Sequence, residues 1–257
     1  IKRMRGRSKA VHAVADNGWH YVIKPPSIGL RSMINEWLGA KLCQMVGVMT
    51  ADVRPIVIPH ALAVGFWPEL PRTDVIGVAS AFPVDPSAHA IYDFLPRSMA
   101  DKIANVDHTV GALAVDLWTG MNERRHCVYF RQGPWWACVV DHKSMFGGDQ
   151  WNCSGVAVPT NPAAGWAYES VLTDEQIHLW STQICTIKPE HLYRLFRDVP
   201  DCWADAVTSF ELSQLADLLL SRRARVPAML RSVAGTSRPT IRLNCDSMSL
   251  NASCLSS

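Results

Sequence analysis

From Gly111 to Gly148 the chain reads GALAVDLWTGMNERRHCVYFRQGPWWACVVDHKSMFGG, and few folds accommodate that order of apolar helix, charged loop, hairpin and acid. Ile103, Val106, Val110, Leu113 and Leu117 recur at alternating spacings of three and four, which predicts one buried helix face, and Gly120 is a natural stop. The polar cluster Asn122, Glu123, Arg124, Arg125, His126 follows at once. CVYFR and WWACVV, rich in Val and aromatic residues and separated by Gln132-Gly133-Pro134, read as a β-hairpin. Asp141-His142 stands where the second strand stops.

A helix that delivers a charged loop, followed by a hairpin that delivers an acid, can bring Glu123 and Asp141 together across a small cavity. Phosphoryl transfer from a magnesium nucleotide needs such a pair. One acid orients the acceptor hydroxyl, and another holds the metal that bridges the phosphates. The same composition also suits a solvated turn that caps a core helix, so the rest of the chain has to decide.

A chain of 257 residues buries roughly three quarters of its unfolded surface, room for one large domain or two lobes. A hydrophobic content of 48% with ten tryptophans describes a substantial core. The formal net charge is only +2 and the Lys and Arg residues are scattered, which argues against nucleic acid or a membrane surface as partner. The eight cysteines form no C-x-x-C pair and no zinc-ligand spacing, so free thiols in a reducing, cytoplasmic compartment are expected. No run approaches the ~18 apolar residues that span a bilayer.

At the start, AVHAVA and WHYVIK flank Asp16-Asn17-Gly18, a strong hairpin signal. Gly6, Arg7 and Ser8 fall at the far end of the first strand, where backbone amides and a hydroxyl could meet phosphate. Lys24 ends the second strand, which Pro25-Pro26 stop. Residues 35–47 read as a helix with Trp37, Leu38, Leu42 and Met45 on one face and Gly47 at its end, and Glu36 in its first turns could reach back to Lys24. VMTADVRPIVI then reads as a strand, PHALAVGFWPELPRT as a Pro-rich insertion, and VIGVASAFPV as another strand.

Beyond Asp141, residues 142–171 carry many Gly, Pro, Asn and Ser and read as a long surface loop near the cleft. Thr173-Asp174-Glu175-Gln176 matches a capping box, Pro189 opens a second helix, and a third is expected from Ser209 to Arg223. Arg222-Arg223 would end that helix as cations at its carbonyl pole. Residues 233–257 have few large apolar side chains and read as a disordered tail. The element order predicts an α+β, protein-kinase-like fold: a small β-rich N-lobe over about residues 1–88 and a helical C-lobe over about 89–232.

Taken together, RMRGRS, DNGWHYVIK, NEWLGAKL, FPVDP with IYDFLP, DLWTGMNERR with VYFR, VVDHKSMF, and VPDCW followed by LLLSRRARVP resemble the HipA-like kinases. The resemblance is to the shorter proteins of that family, which lack an accessory N-terminal domain, and it spans roughly residues 1–232. It implies ATP and Mg²⁺ as cofactors and a protein Ser or Thr as acceptor. Gly6, Arg7 and Ser8 then look like the phosphate-contacting turn, Lys24 like the nucleotide-phosphate lysine, Glu36 like its helix partner, and Asp141 like the metal-binding acid. Residues 80–85 would line the adenine side through their backbone.

The family's catalytic loop, Asn-x-Asp-Arg-His-x-x-Asn, is altered here. Met121 meets the first Asn, Glu123 meets the Asp base, Arg124 matches, Arg125 replaces His, and Val128 stands where the metal-binding Asn belongs. Glu123 and Arg124 are therefore the catalytic candidates, and Asn122 joins Asp141 as a candidate metal ligand. A second reading follows from the same departures: a nucleotide-binding pseudokinase that works as a regulatory or interaction module.

Overall fold

Asn17-Gly18 turns the chain back on itself, with Gly18 at φ 75°, and joins β2 (Val11–Val14) to β3 (His20–Lys24) in antiparallel register, Val11 opposite Ile23. The computed structural model describes residues 1–4, 9–121, 123, 126–151 and 172–236. Outside β2 lies the short β1 (Lys2–Arg3). On the other side β3 pairs with β5 (Val75–Ala81), and β5 pairs with β4 (Val53–Ile58), giving a five-stranded sheet of order β1-β2-β3-β5-β4. Because side chains alternate across a strand, Lys24 and its partner Val78 face one way while Ile23 and its partner Ala79 face the other.

Those two faces belong to two different cores. Val11, Ala13, Tyr21, Ile23, Ile58 and Ala79 pack with Ala63 and Trp67 on the far face. The stretch expected as a Pro-rich insertion supplies that cover: His60–Phe66 is a helix, α2, and Trp67 just beyond it is buried. Pro59 at its N-cap and the prolines after it limit the helix to two turns, which is why the composition reads as irregular.

On the near face lies α1 (Leu30–Val46), closed by Gly47 in the left-handed conformation at φ 87°. It is a central helix, buried on nearly every side: Met33, Ile34, Trp37, Leu38, Ala40, Leu42, Cys43 and Val46 are all inaccessible or nearly so. Its core is continuous with Val53 and Val78 of the sheet and with the helical lobe. That lobe contains α3 (His108–Thr119), α4 (Asp174–Cys185), α5 (Pro189–Arg197), α6 (Ser209–Arg222) and α7 (Val226–Thr236).

Between the two lobes, β6 (Ile91–Tyr92), β7 (His126–Arg131) and β8 (Trp135–Val140) form a three-stranded antiparallel sheet, with the expected hairpin turning at Gly133, φ 74°. Three expectations need correction. The long helix starts at His108, and Ile103 instead bridges to Trp135 and packs with Leu95, Tyr129 and Ala137, so its apolar spacing serves the hairpin. The first residues of the expected tail, 233–236, belong to α7, which continues to Thr236, and residues 237–257 lie outside the described residues. Arg222 is not a solvated helix-end cation: it is 2% exposed and donates from Nη2 to Leu117 O at 2.7 Å, since α7 follows directly and packs against α3. Among the described residues, no helix is long and apolar enough to cross a membrane.

Candidate functional site

Lys24 is the last residue of β3, and Pro26 opens the short helical turn that leads into α1. Two helical turns in, α1 brings Glu36 back beneath the strand end. The Lys24 ammonium donates to Glu36 Oε1 and, at 2.8 Å, to Asp141 Oδ1 at the end of β8. Lys24 is 6% exposed and Glu36 0%, so the charges are withdrawn from water and answer one another. The structure thus joins Lys24, Glu36 and Asp141 in one cluster.

Burial pulls the Lys24 amine toward neutrality, but Glu36 and Asp141 more than offset it and hold its pKa above the ordinary lysine value. Burial raises the Glu36 carboxyl, opposed by Lys24 and reinforced by the negative Asp141. Burial also acts to raise Asp141, yet Lys24 and then Lys143 overcome it and hold this carboxyl well below the usual carboxylate range. Asp141 is therefore a firmly ionised group at neutral pH, with one oxygen committed to Lys24 and the other 3.8 Å from Lys143 Nζ.

The backbone around Asp141 is unusual. Asp141 has φ 64° and Phe146 φ 56°, a region that L-residues seldom adopt and that costs about 1–3 kcal/mol unless the surroundings impose it. The surroundings here are α1 and the segment before β4. The His142 N–H donates to Glu36 Oε2 at 2.9 Å, and Thr50 Oγ1 hydrogen-bonds both Val139 O at 2.9 Å and the His142 ring at 3.0 Å.

Glu123 stands on the outer side of this cluster with its side chain 58% exposed, 3.9 Å from Lys143 Nζ. Lys143 thus lies between the two candidate acids, Glu123 and Asp141. Sequence reasoning passed over it; its place two residues after Asp141 was the available signal. Val128 sits in β7 opposite Cys138 and packs against the cluster of Ala51, Val84, Phe130 and Cys138, an apolar setting with nothing to offer a cation. Gly6, Arg7, Ser8, Asn122, Arg124 and Arg125 lie outside the described residues.

Beyond Val78, the β5 partner of Lys24, the chain leaves the strand through residues 80–85. The Ala81 N–H is taken by Asp52 O and the Phe82 N–H by His20 O, and Trp19 Nε1 donates to Phe82 O. Pro83 has no N–H, so Val84 carries the first donor of this segment that no described residue takes up. His12 and His20 are hydrogen-bonded at 2.8 Å and pack beside the Phe82 ring.

Among the described residues no group of three or more His, Cys, Asp or Glu side chains is placed to hold a metal. One ionised carboxylate, with a second nearby, suits Mg²⁺, which keeps several waters and takes other oxygens from a nucleotide's phosphates. A separate apolar cavity of about 530 Å³, lined by Val11, Tyr21, Ile23, Ile58 and Phe66 among others, lies on the sheet face that points away from Lys24 and takes no part in this cluster.

The family model described as HipA-like kinase matches residues 1–125. In three dimensions the chain is similar to a Helicobacter pylori proinflammatory kinase, CtkA, with a TM-score of 0.60 and 10% identity over 92% of this chain and 94% of that one. It is also similar to the Golgi casein kinase solved with Mn and ADP bound, with a TM-score of 0.52 and 12% identity over 91% of this chain and 74% of that one. A second structure of the Golgi casein kinase gives 0.50 and 11% over the same shares. At such identities the likeness establishes the fold, which is α+β and of protein-kinase type, β-rich in its N-terminal region and helical in its C-terminal region. A search of the curated proteins finds no match.

Proposed function

We propose, from the HipA-like kinase match over residues 1–125 and the protein-kinase fold of the chain, that this protein transfers the γ-phosphoryl group of ATP to a Ser or Thr of a protein, with Mg²⁺ as cofactor. The observation that carries the reading is the buried Lys24 ammonium shared between Glu36 and Asp141. An ion cluster withdrawn from water is costly to keep unless function uses it, and a strand-end lysine braced by a helix glutamate beside an ionised acid suits phosphate binding.

In this reading Lys24 meets the nucleotide phosphates and Glu36 braces it. Asp141, with Asn122 as a second candidate, would hold Mg²⁺, which would supply neutralisation of the charge on the phosphates. Gly6, Arg7 and Ser8 form the phosphate turn, and the backbone of residues 80–85 takes the base, with the Val84 N–H as its donor. Glu123 accepts the proton of the acceptor hydroxyl as that oxygen bonds to the γ-phosphorus and the bond to the β-phosphate bridging oxygen breaks, releasing ADP. Arg124 steadies the charge of the loop. The lobes divide near residue 88, and the described cysteines, none of them in a disulfide, fit a cytoplasmic setting.

A second reading, a nucleotide-binding pseudokinase acting as a regulatory or interaction module, is favoured by Val128, whose apolar packing offers no metal ligand, and by the exposed position of Glu123 beside Lys143. Both readings require nucleotide. A thermal-shift titration with ATP, with and without Mg²⁺, tests them together: at ~100 times the dissociation constant, bound ligand adds about 2.7 kcal/mol of apparent stability. No shift at millimolar ATP would sink both.

A further inference from the structure

Asn35, the residue before Glu36, is 0% exposed, and its carboxamide is fully engaged. Its Nδ2 lies 2.7 Å from Lys143 O, 3.0 Å from Met145 O and 2.9 Å from Gly148 O, while Oδ1 accepts the Trp151 Nε1–H at 2.6 Å. The three carbonyls belong to the turn that begins at Asp141. That turn passes through left-handed backbone at Phe146, Gly147 and Gly148, so no regular ladder serves its carbonyls: Met145 O takes the Gly148 N–H at 2.9 Å, and Asn35 is the donor that reaches Lys143 O and Gly148 O as well. The amide has two protons for three acceptors, which places one proton between two of them.

Two neighbours on α1 make the same connection. Glu36 accepts the His142 N–H, and at Gly39 a Cβ would fall 2.4 Å from the His142 Cβ and 2.6 Å from the Met145 sulfur, so helix and turn meet with no space between them. Arg31, one turn earlier, reaches Glu211 at the start of α6 at 2.8 Å and stacks over the Trp151 ring. The helix that carries Glu36 is thus fastened to the turn that carries Asp141 and to the helical lobe.

We propose that Asn35 is the positioning residue for Asp141: its carboxamide holds the backbone after Asp141 against α1, so that the carboxylates of Glu36 and Asp141 keep their places around Lys24 when metal and nucleotide arrive. The proposal rests on the reading of Asp141 as the metal-holding acid.

The test is the ATP affinity of the full chain by calorimetry in EDTA and in saturating Mg²⁺, for wild type, Asn35→Ala and Trp151→Phe, with melting temperature and circular dichroism recorded for each. Residues that orient a metal-holding group cost about 10- to 100-fold in metal affinity when removed, so Asn35→Ala is expected to lose ~10-fold or more of the Mg²⁺-dependent gain, with metal-free affinity within about two-fold of wild type. Trp151→Phe, which removes the indole N–H and leaves a smaller aromatic ring, is expected to shift the gain in the same direction by a smaller factor, and it decides the matter if Asn35→Ala does not fold. Lower melting temperatures with an unchanged Mg²⁺ gain would show that Asn35 only packs, and overturn the proposal. A wild type that gains nothing from Mg²⁺ would overturn the reading of Asp141 and this inference with it, a failure already visible before any variant is made.

Discussion

Lys24 Nζ and Asp141 Oδ1 lie 2.8 Å apart although 117 positions separate them in the chain. One ends a strand of the five-stranded sheet and the other directly follows a strand of the three-stranded sheet, so their contact ties the two sheets together. Removing the ammonium leaves the buried Glu36 without its counter-charge and Asp141 with only Lys143, 3.8 Å from its Oδ2. Lys24→Met is therefore expected to destabilise the fold by about 3–5 kcal/mol, the usual cost of breaking a buried ion pair from one side. Urea denaturation at neutral pH checks this, and a loss below about 1 kcal/mol would mean that the cluster is much wetter than its burial indicates.

The same contact sets a pH dependence at each end of the scale. Asp141 has a folded pKa below its unfolded value, so its contribution is present above the unfolded pKa of ~3.9 and is lost as pH falls through the folded value. Lys24 has a folded pKa above its unfolded value, so its contribution is complete below ~10.4 and is lost as pH rises through the folded value. Stability measured against pH is expected to fall below about pH 4 and again above about pH 10, with both limbs shallower in Lys24→Met. An acid limb of unchanged steepness in that variant would place the titrating groups elsewhere.

Val128 offers a gain-of-function test. An Asn here adds an oxygen on a strand whose first residue, His126, pairs with Val140 next to Asp141, and Val128→Asn is expected to raise Mg²⁺-dependent phosphoryl transfer if metal coordination limits the wild type. The substitution also places an amide in the apolar cluster around Ala51 and Phe130, so a stability loss of about 1–3 kcal/mol is expected alongside. Steady-state rates at several Mg²⁺ concentrations, read against the melting temperature, separate the effects. A rate that falls in step with stability would show that metal coordination is not what limits turnover.

How much of this was legible in the chain depended on whether the signal was local. Asn17-Gly18 marked its hairpin because a type of turn demands those residues. Thr173 caps α4, its hydroxyl accepting the Gln176 N–H, because capping needs only four residues. Lys24 and Glu36 were readable as a pair because a strand, a proline stop and a helix leave them few ways to miss each other. Asn35 and Lys143 were not, since their partners are the carbonyls of a turn more than a hundred residues on and an acid across the cleft. Arg222 read as a surface cation because its partner, Leu117 O on α3, lies 105 positions earlier in the chain. The helix α2 was hidden by its flanking prolines, and its reason for existing, the far face of the sheet, is built from strands on either side of it.

The most direct measurement is phosphoryl transfer from γ-labelled ATP, by autophosphorylation or to a generic protein acceptor, compared with ATP affinity in wild type, Glu123→Gln and Asp141→Asn. Glu123 lies on the outer side of the cluster, so its carboxylate is expected to act on the acceptor hydroxyl and not on the nucleotide. Glu123→Gln should then reduce transfer by ~100-fold or more with ATP affinity nearly unchanged, whereas Asp141→Asn should weaken both transfer and Mg²⁺-dependent binding. Transfer at the same near-zero level in wild type and both variants, with ATP still bound by the wild type, would contradict the kinase reading and leave the pseudokinase in its place.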